Sequence, residues 1–499
     1  MKKILIANIP FFVLVFFLAF FVFINGVNGE FVSDDIAAIV NNPHIGVLDP
    51  RSPDFRFWYL PHAIIYNLFG PTPVPYHLLS MVYHFINLVL FFLIAQKVFG
   101  NKAASISTLL FAVHPLVSEP LLWISASPYL LNSIYSSTLL LLYIKYKETK
   151  NKKFLWMVFT FYAFILLPGS AWVMTISGFI LVFDQLLIEK EINFKKLGPP
   201  LVLIALALLS AVKLATTTTK IPYRLQEVSG TEPYVNRFFY STYMVTKLLV
   251  FPKDLSLYHE GNIITKTHFT IMIVVSVLVV GTTLYLLKKK NKIGALILLG
   301  FVSIAPVYSP VQISWFVAER YLYKFAGLFC IILALLFLRI KNKKVMGGLV
   351  VVLFCIYSTR TFVRTFDWKT RKSLWHSTQK IAPYSRRVYN NLGDVYSKEG
   401  NYPEAAKYFL QAIKIDPSYS EAMHNLGLVY LEMDDLENAE ILFKRSIQVN
   451  PNLYQSYLQL GIIEAQRENY DSARVYFEKT LEINPNEAST QQLLNQLSR

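Results

Sequence analysis

Apolar residues run almost without a break from Ile4 to Ile24. Ten further apolar runs follow at about 76–95, 103–123, 128–145, 153–167, 170–188, 197–215, 268–287, 293–309, 320–338 and 345–363. Runs of this length predict helices that cross a bilayer. Met1-Lys2-Lys3 precedes the first run, which is too long for a signal-peptide core, and no small-x-small cleavage site follows it. It reads as a retained first span with its lysines inside. Five charge clusters separate later runs: Lys97/Lys102, Lys145 to Lys153, Glu189 to Lys196, Lys288 to Lys292 and Arg339 to Lys344. All five fall on the cytoplasmic side if there are eleven spans and the amphipathic stretch 236–251 lies at the outer interface. The N-terminus is then inside and the C-terminus outside. Residues 26–75, 216–267 and the stretch from about Ser309 to Tyr321 become outer segments, long enough to build a site.

The pattern changes in the last third. Gly393, Gly427 and Gly461 are spaced 34 residues apart, and so are Ala405, Ala439 and Ala473, and Phe409, Phe443 and Phe477. Pro383, Pro417, Pro451 and Pro485 keep the same step. A 34-residue period with these residue types is the tetratricopeptide signature. It predicts helix pairs at about 386–419, 420–453 and 454–487, with a capping helix over 488–499. The fold class is therefore all-α: a polytopic membrane bundle over 1–366, then a repeat solenoid over 367–499. Such arrays present a concave surface to peptides or partner domains. Tyr389, Asn390, Asn425 and Tyr457 lie on the first helices of the pairs, which line that face, and are the candidate partner-binding residues.

Composition sharpens the membrane reading. Hydrophobic residues are 54% of the 499, and charged residues are 16%, against about 25% in soluble domains. The net charge of +16 is unevenly placed. Residues 370–499 hold 14 Lys and Arg against 16 Asp and Glu, while residues 1–369 hold 34 against 16. A basic surplus confined to the connections between apolar runs fits cytoplasmic loops and not a nucleic-acid groove. The two cysteines, Cys330 and Cys355, lie in apolar runs and form no disulfide framework or zinc spacing. The absence of any Asn-x-Ser/Thr acceptor favours a bacterial envelope.

Acidic residues at a bilayer surface need a task or a partner. Asp34 and Asp35 follow the first span by about ten residues. Adjacent side chains diverge, so one can face a reacting hydroxyl while the other orients it or binds a donor group or metal. A helix-capping loop is the alternative. His114 and Glu119 end the third span, and Glu319-Arg320-Tyr321 opens the tenth. Arg320 could hold a phosphate through two N–H groups or simply pair with an acid. Arg51, Arg56, Arg224 and Arg237 lie in or beside outer segments. His77 and His84 share a span, but no third ligand is spaced for zinc. No Walker loop, dinucleotide fingerprint or nucleophile elbow is present.

These features resemble a known family. An acidic pair follows span one, His114-Pro115-x-x-x-Glu119-x-x-x-Trp123 ends span three, Glu319-Arg320-Tyr321-Leu322-Tyr323 opens a late span, and tetratricopeptide repeats follow the last span. Together they are similar to the integral-membrane glycosyltransferases of the GT-C superfamily. The nearest branch is the protein O-mannosyltransferase-like one with transmembrane and tetratricopeptide-repeat regions, including its bacterial relatives. The resemblance implies that Asp34 or Asp35 is a catalytic base acting on an acceptor hydroxyl, protein Ser or Thr above all. It implies a polyprenyl-phosphate sugar, mannose-like, as donor substrate, no resident cofactor, and room for a divalent metal. Arg320 is the first choice for the phosphate clamp. Asn41, Arg56, His77, His114, Glu119, Glu319 and Tyr321 resemble donor-side positions. The sequence departs from the family at Tyr59-Leu60-Pro61, where Tyr-Arg-Pro is common; Arg56 is one turn earlier. With the charge-based topology and the missing acceptor sites, this makes an inner-membrane protein with its repeats outside, where they could present an acceptor or partner protein. A transporter, a non-catalytic scaffold that recruits envelope proteins, and a surface-glycan ligase or polymerase are the competing classes. No inverted repeat supports the first of these.

Overall fold

The structure, a computed structural model, describes residues 2–49, 52, 60–167, 171–189, 196–217, 234–259, 264–308 and 316–497. The chain divides into two compact units, Met1–Leu257 with Ile264–Thr370, and Tyr258–Ile263 with Arg371–Arg499.

The first unit is helical. Its helices are α1 (Ile9–Val27), α2 (Leu60–Phe69), α3 (Pro73–Phe99), α4 (Asn101–Ala112), α5 (Ser118–Leu122), α6 (Ser127–Thr149) and α7 (Lys152–Leu166). They are followed by α8 (Ala171–Phe183), α9 (Gly198–Thr217), α10 (Tyr234–Val250), α11 (Lys266–Lys288), α12 (Lys292–Ser303), α13 (Tyr323–Phe337) and α14 (Lys343–Asp367). Every apolar run read from the sequence is built around one of these helices. Among the described residues, five helices are long and apolar enough to cross a membrane, or six if α4 and α5 count as one broken span. Phe17, Phe21, Val277 and Leu278 keep more than half their surface exposed. Such apolar outward faces suit a lipid solvent, where the drive to hide them from water is absent.

The break between α4 and α5 has a local cause. Pro115 restricts the residue before it to extended backbone, and His114 sits at φ −64°, ψ 131°. The His114 Nδ1 accepts the Leu116 N–H at 3.2 Å, capping the short turn after Pro115. The chain bends by 58° there and returns toward the loop that follows α1. The start of that loop is pinned from the other end of the unit. The Glu30 N–H donates to the Lys369 carbonyl at 3.0 Å. A Cβ on Gly29 would stand 2.8 Å from the Trp368 carbonyl oxygen, so only glycine permits this approach.

The second unit contains α15 (Arg371–Ile381), the pairs α16 (Arg386–Lys398) with α17 (Tyr402–Ile415), α18 (Ser420–Glu432) with α19 (Leu436–Val449), α20 (Tyr454–Gln466) with α21 (Tyr470–Ile483), and the cap α22 (Ala488–Leu497). The period has a steric origin. A Cβ on Gly393, Gly427 or Gly461 would come within 2.7, 2.6 and 2.5 Å of the Phe409, Phe443 and Phe477 rings respectively. Ala405, Ala439 and Ala473 are fully buried. Glycine on the first helix thus makes room for the phenylalanine of the second, once in every repeat.

Candidate active site at the acidic loop

Ser33 adopts φ 51°, in the left-handed region. The turn it makes sends the two following carboxylates apart. Asp35 is completely buried and Asp34 is exposed. One Asp35 oxygen, Oδ1, accepts the Ser125 N–H at 2.7 Å and the Ser125 hydroxyl at 2.6 Å. The other, Oδ2, accepts the Val32 N–H at 3.2 Å. Burial pushes the Asp35 carboxyl up to about 7, against the pull of those hydrogen bonds. The residues after the pair form a wide turn, Ile36–Val40, closed by Asn41 N–H to the Ile36 carbonyl at 2.8 Å. Asn41 itself is exposed. Ile39 packs with Tyr76 and Ile124, and Phe31, Ile65 and Tyr66 close over them. The acidic loop therefore lies on α2, on the first turn of α3 and on the segment between α5 and α6. His62, on α2, meets the Ser127 hydroxyl at 3.2 Å and is held down to about 4 by burial.

The second part of the site is a buried ionic layer. Glu119 accepts from the Arg320 side chain through one oxygen and from the Arg320 N–H at 3.0 Å through the other. The Arg320 guanidinium lies 4.7 Å from the Trp123 ring centre and 5.0 Å from that of Tyr321. Tyr321 continues into an aromatic group with Trp172 (4.5 Å) and Tyr129 (5.5 Å). Glu319 accepts the Ser256 N–H and faces Arg364, whose Nη2 is 3.7 Å away. Arg364 also donates to Asp367 at 2.9 Å. All four of Glu119, Glu319, Arg320 and Arg364 are buried. Paired in this way they cost far less to hold inside than singly.

Trp123 and Ser125 join the two parts, since one lies against Arg320 and the other holds Asp35. The sequence motifs after spans one, three and nine thus converge: Asp34, Asp35, Glu119, Glu319, Arg320 and Tyr321 belong to one connected region. His114 lies behind it, edge-on to Tyr357 at 4.6 Å, and shapes the chain break instead of lining the loop. His77 is buried at the first turns of α3, near Gly29. Arg51, Arg56 and Arg224 lie outside the described residues. Sequence reasoning missed Ser125, Arg364, Tyr129 and Trp172. Ser125 follows the His-Glu-Trp motif by two residues, which was the available signal; Arg364 had one too, as a charge directly after the last apolar run. Among the described residues no three His, Cys, Asp or Glu side chains gather as a metal site would require.

In the repeats, the Asn425 Nδ2 donates to the Asn390 Oδ1 at 3.0 Å, joining the first helices of consecutive pairs. Tyr389 lies 6.3 Å from Tyr408, and Tyr457 lies 6.5 Å from Tyr476.

A family model described as tetratricopeptide repeat matches residues 384–452 and 418–486. The chain is 26% identical to Protein O-mannosyl-transferase F38B6.6 of Caenorhabditis elegans, over 80% of this chain and 62% of that one. It is 25% identical to Protein O-mannosyl-transferase TMTC3 of Homo sapiens, over 78% of this chain and 49% of that one. A third relative, Protein O-mannosyl-transferase TMTC4 of Mus musculus, is 23% identical over 79% of this chain and 65% of that one. The chain therefore spans about half to two thirds of the length of these relatives. The resemblance drawn from the motifs is borne out: this is a helical membrane protein with tetratricopeptide repeats, and its relatives are named protein O-mannosyl-transferases.

Proposed function

We infer that the chain is a membrane glycosyltransferase, moving a mannose-like sugar from a polyprenyl-phosphate carrier to a Ser or Thr hydroxyl of a protein. The observation that carries this reading is the division of labour in the acid pair. Asp35 has both oxygens occupied and fixes the loop. Asp34 is left exposed beside it, in reach of an incoming hydroxyl. In the reaction Asp34 takes the proton of the acceptor hydroxyl as its oxygen attacks the anomeric carbon. The bond from that carbon to the phosphate oxygen breaks, and its electron pair leaves with the polyprenyl phosphate. Attack opposite the leaving group inverts the anomeric centre. Arg320, steadied by Glu119, adds positive charge to the leaving-group side.

The charge clusters support eleven spans, with the N-terminus cytoplasmic, the acidic loop outside and a bacterial inner membrane as the setting. The repeats then hold the acceptor protein or a partner along the first helices of the pairs.

The test uses the full chain in detergent, radiolabelled polyprenyl-phosphate mannose and an envelope protein extract. Wild type is expected to label protein. Asp34→Asn is expected to lose roughly a hundredfold to ten-thousandfold in rate, the usual contribution of a general base. An Asp34→Asn enzyme with unchanged rate overturns the assignment of the base. Label entering glycan instead of protein would redirect the reading to a surface-glycan transferase.

A further inference from the structure

The connection between α11 and α12 is short and basic. α11 closes at Lys288 and α12 opens at Lys292. Lys288, Lys289 and Lys290 are exposed on this turn. Lys292 is turned inward, donating to the Val98 carbonyl at 3.0 Å and lying over the Phe99 ring. A Cβ on Gly294 would stand 2.8 Å from the Leu286 Cβ, so the two helices leave the turn in close contact.

Beside that turn lies a groove of about 240 Å³ between α10, α11 and α12. α10 contributes Thr242, α11 contributes Val280, Leu284 and Leu287, and α12 contributes Leu298. The hydroxyls on its walls are already engaged. Thr283 donates to the Val279 carbonyl at 2.7 Å, and Thr242 donates to the Tyr308 oxygen at 3.4 Å. The groove therefore suits carbon. A dry cavity of about 150 Å³ admits a benzene ring, so this one has room for about ten carbons. Val280 and Leu284 line the groove yet stay exposed, so it opens toward the bilayer. From Val280 to Leu287 the helix rises about 10 Å, and the next residue is Lys288.

We propose that this groove holds an acyl chain of an anionic glycerophospholipid whose phosphate meets Lys288, Lys289 and Lys290. Three ammonium groups on one turn attract a negative headgroup at the bilayer surface. The apolar groove that ends beside them takes the chain. An anionic head joined to a hydrocarbon tail satisfies both features at once. The occupant is a resident membrane lipid. In the charge-based topology the lysine turn is cytoplasmic and the acidic loop is outside, so the headgroup stands on the opposite membrane face from the transfer reaction. The proposal requires α11 to span a bilayer, as its length and composition allow, and it does not depend on the transferase reading. The chain braces α10 at Thr242, and the segment that follows α10 supplies the Ser256 N–H to Glu319.

Native mass spectrometry of the full-length protein in a neutral detergent reads bound lipid directly. The protein is offered phosphatidylglycerol, phosphatidylcholine with the same chains, glycerol phosphate and farnesyl phosphate. Wild type is compared with a Lys288→Gln/Lys289→Gln/Lys290→Gln variant and with Val280→Trp, which fills the groove. Val277→Trp is the control, adding the same bulk at an exposed position outside the groove. Wild type and Val277→Trp are expected to prefer phosphatidylglycerol over phosphatidylcholine by about tenfold to a hundredfold, the scale three lysines supply near a headgroup. The triple variant is expected to lose that preference while keeping its affinity for phosphatidylcholine and its thermal midpoint. Val280→Trp is expected to lose about tenfold or more in affinity for phosphatidylglycerol. The proposal is overturned if wild type shows no preference, if the triple variant keeps it, or if folded Val280→Trp binds like Val277→Trp. Displacement of phosphatidylglycerol by an equal concentration of glycerol phosphate also overturns it, since the chain would then add nothing. So does equal competition by farnesyl phosphate, which would make the groove a site for any anionic amphiphile. The triple variant alters only exposed side chains, so it decides the matter on its own if Val280→Trp does not fold.

Discussion

Asp35 makes the acidic loop a pH-dependent structure. Its carboxyl lies at about 7 in the folded protein, against 3.8 for an ordinary aspartate. Between those two values the folded loop keeps a proton that the undocked loop gives up. Loop stability is therefore greatest below about pH 4, declines as pH rises through that window, and levels off above about 7. The separation corresponds to at most about 4 kcal/mol of docking free energy. Asparagine at this position is uncharged like the protonated acid, and its oxygen can still accept from Ser125, but its Nδ2 would face the Val32 N–H donor to donor, so that one hydrogen bond is lost. Asp35→Asn should abolish the pH slope while retaining the low-pH stability to within about 1–2 kcal/mol, the scale of one altered buried hydrogen bond. Hydrogen exchange at Asp35 N–H and Ala38 N–H, both bonded within the turn, reads this once intrinsic exchange rates are subtracted. A wild-type loop whose protection is flat from pH 4 to 7, or a variant that keeps the wild-type slope, would refute the reasoning.

Two further outcomes follow from the packing. Glu119→Gln should destabilise the membrane unit by about 3–5 kcal/mol, because it strands a buried arginine. Pairing it with Arg320→Met should recover most of that loss, read as the thermal midpoint in detergent; additive losses would show that the two side chains do not act as a pair. Gly427→Ala places a methyl where the Phe443 ring stands and should cost the repeats about 1–3 kcal/mol, as overpacking does. Adding Phe443→Leu should restore part of it, measured by limited proteolysis of the full chain.

The repeats were legible in the sequence because their contacts recur at a fixed step. Gly393 meets Phe409 sixteen positions on, and the same contact returns one period later. The bundle was legible as a series of apolar runs, since lipid selects composition over a whole segment. The acid pair was legible as a feature, but not its division of labour. Which aspartate is buried depends on Ser125, 90 residues away. The same holds for Arg320, whose pairing with Glu119 joins positions 201 residues apart. Glu319 and Arg320 are neighbours in sequence yet face different partners, because the short turn at Glu319–Leu322 sends adjacent side chains to different sides. Local pattern carries no information about such crossings.

The tie between Glu30 and Lys369 has a consequence for biosynthesis. The acidic loop is among the first parts of the chain to leave the ribosome, and its anchor is among the last of the membrane unit. A growing chain therefore carries the loop long before the loop's start is tied down. Asp35 can meet Ser125 once that segment is made, but the Glu30 tie forms only when the final span has inserted, so chains cut short before Trp368 should reach the membrane with the start of the acidic loop untied.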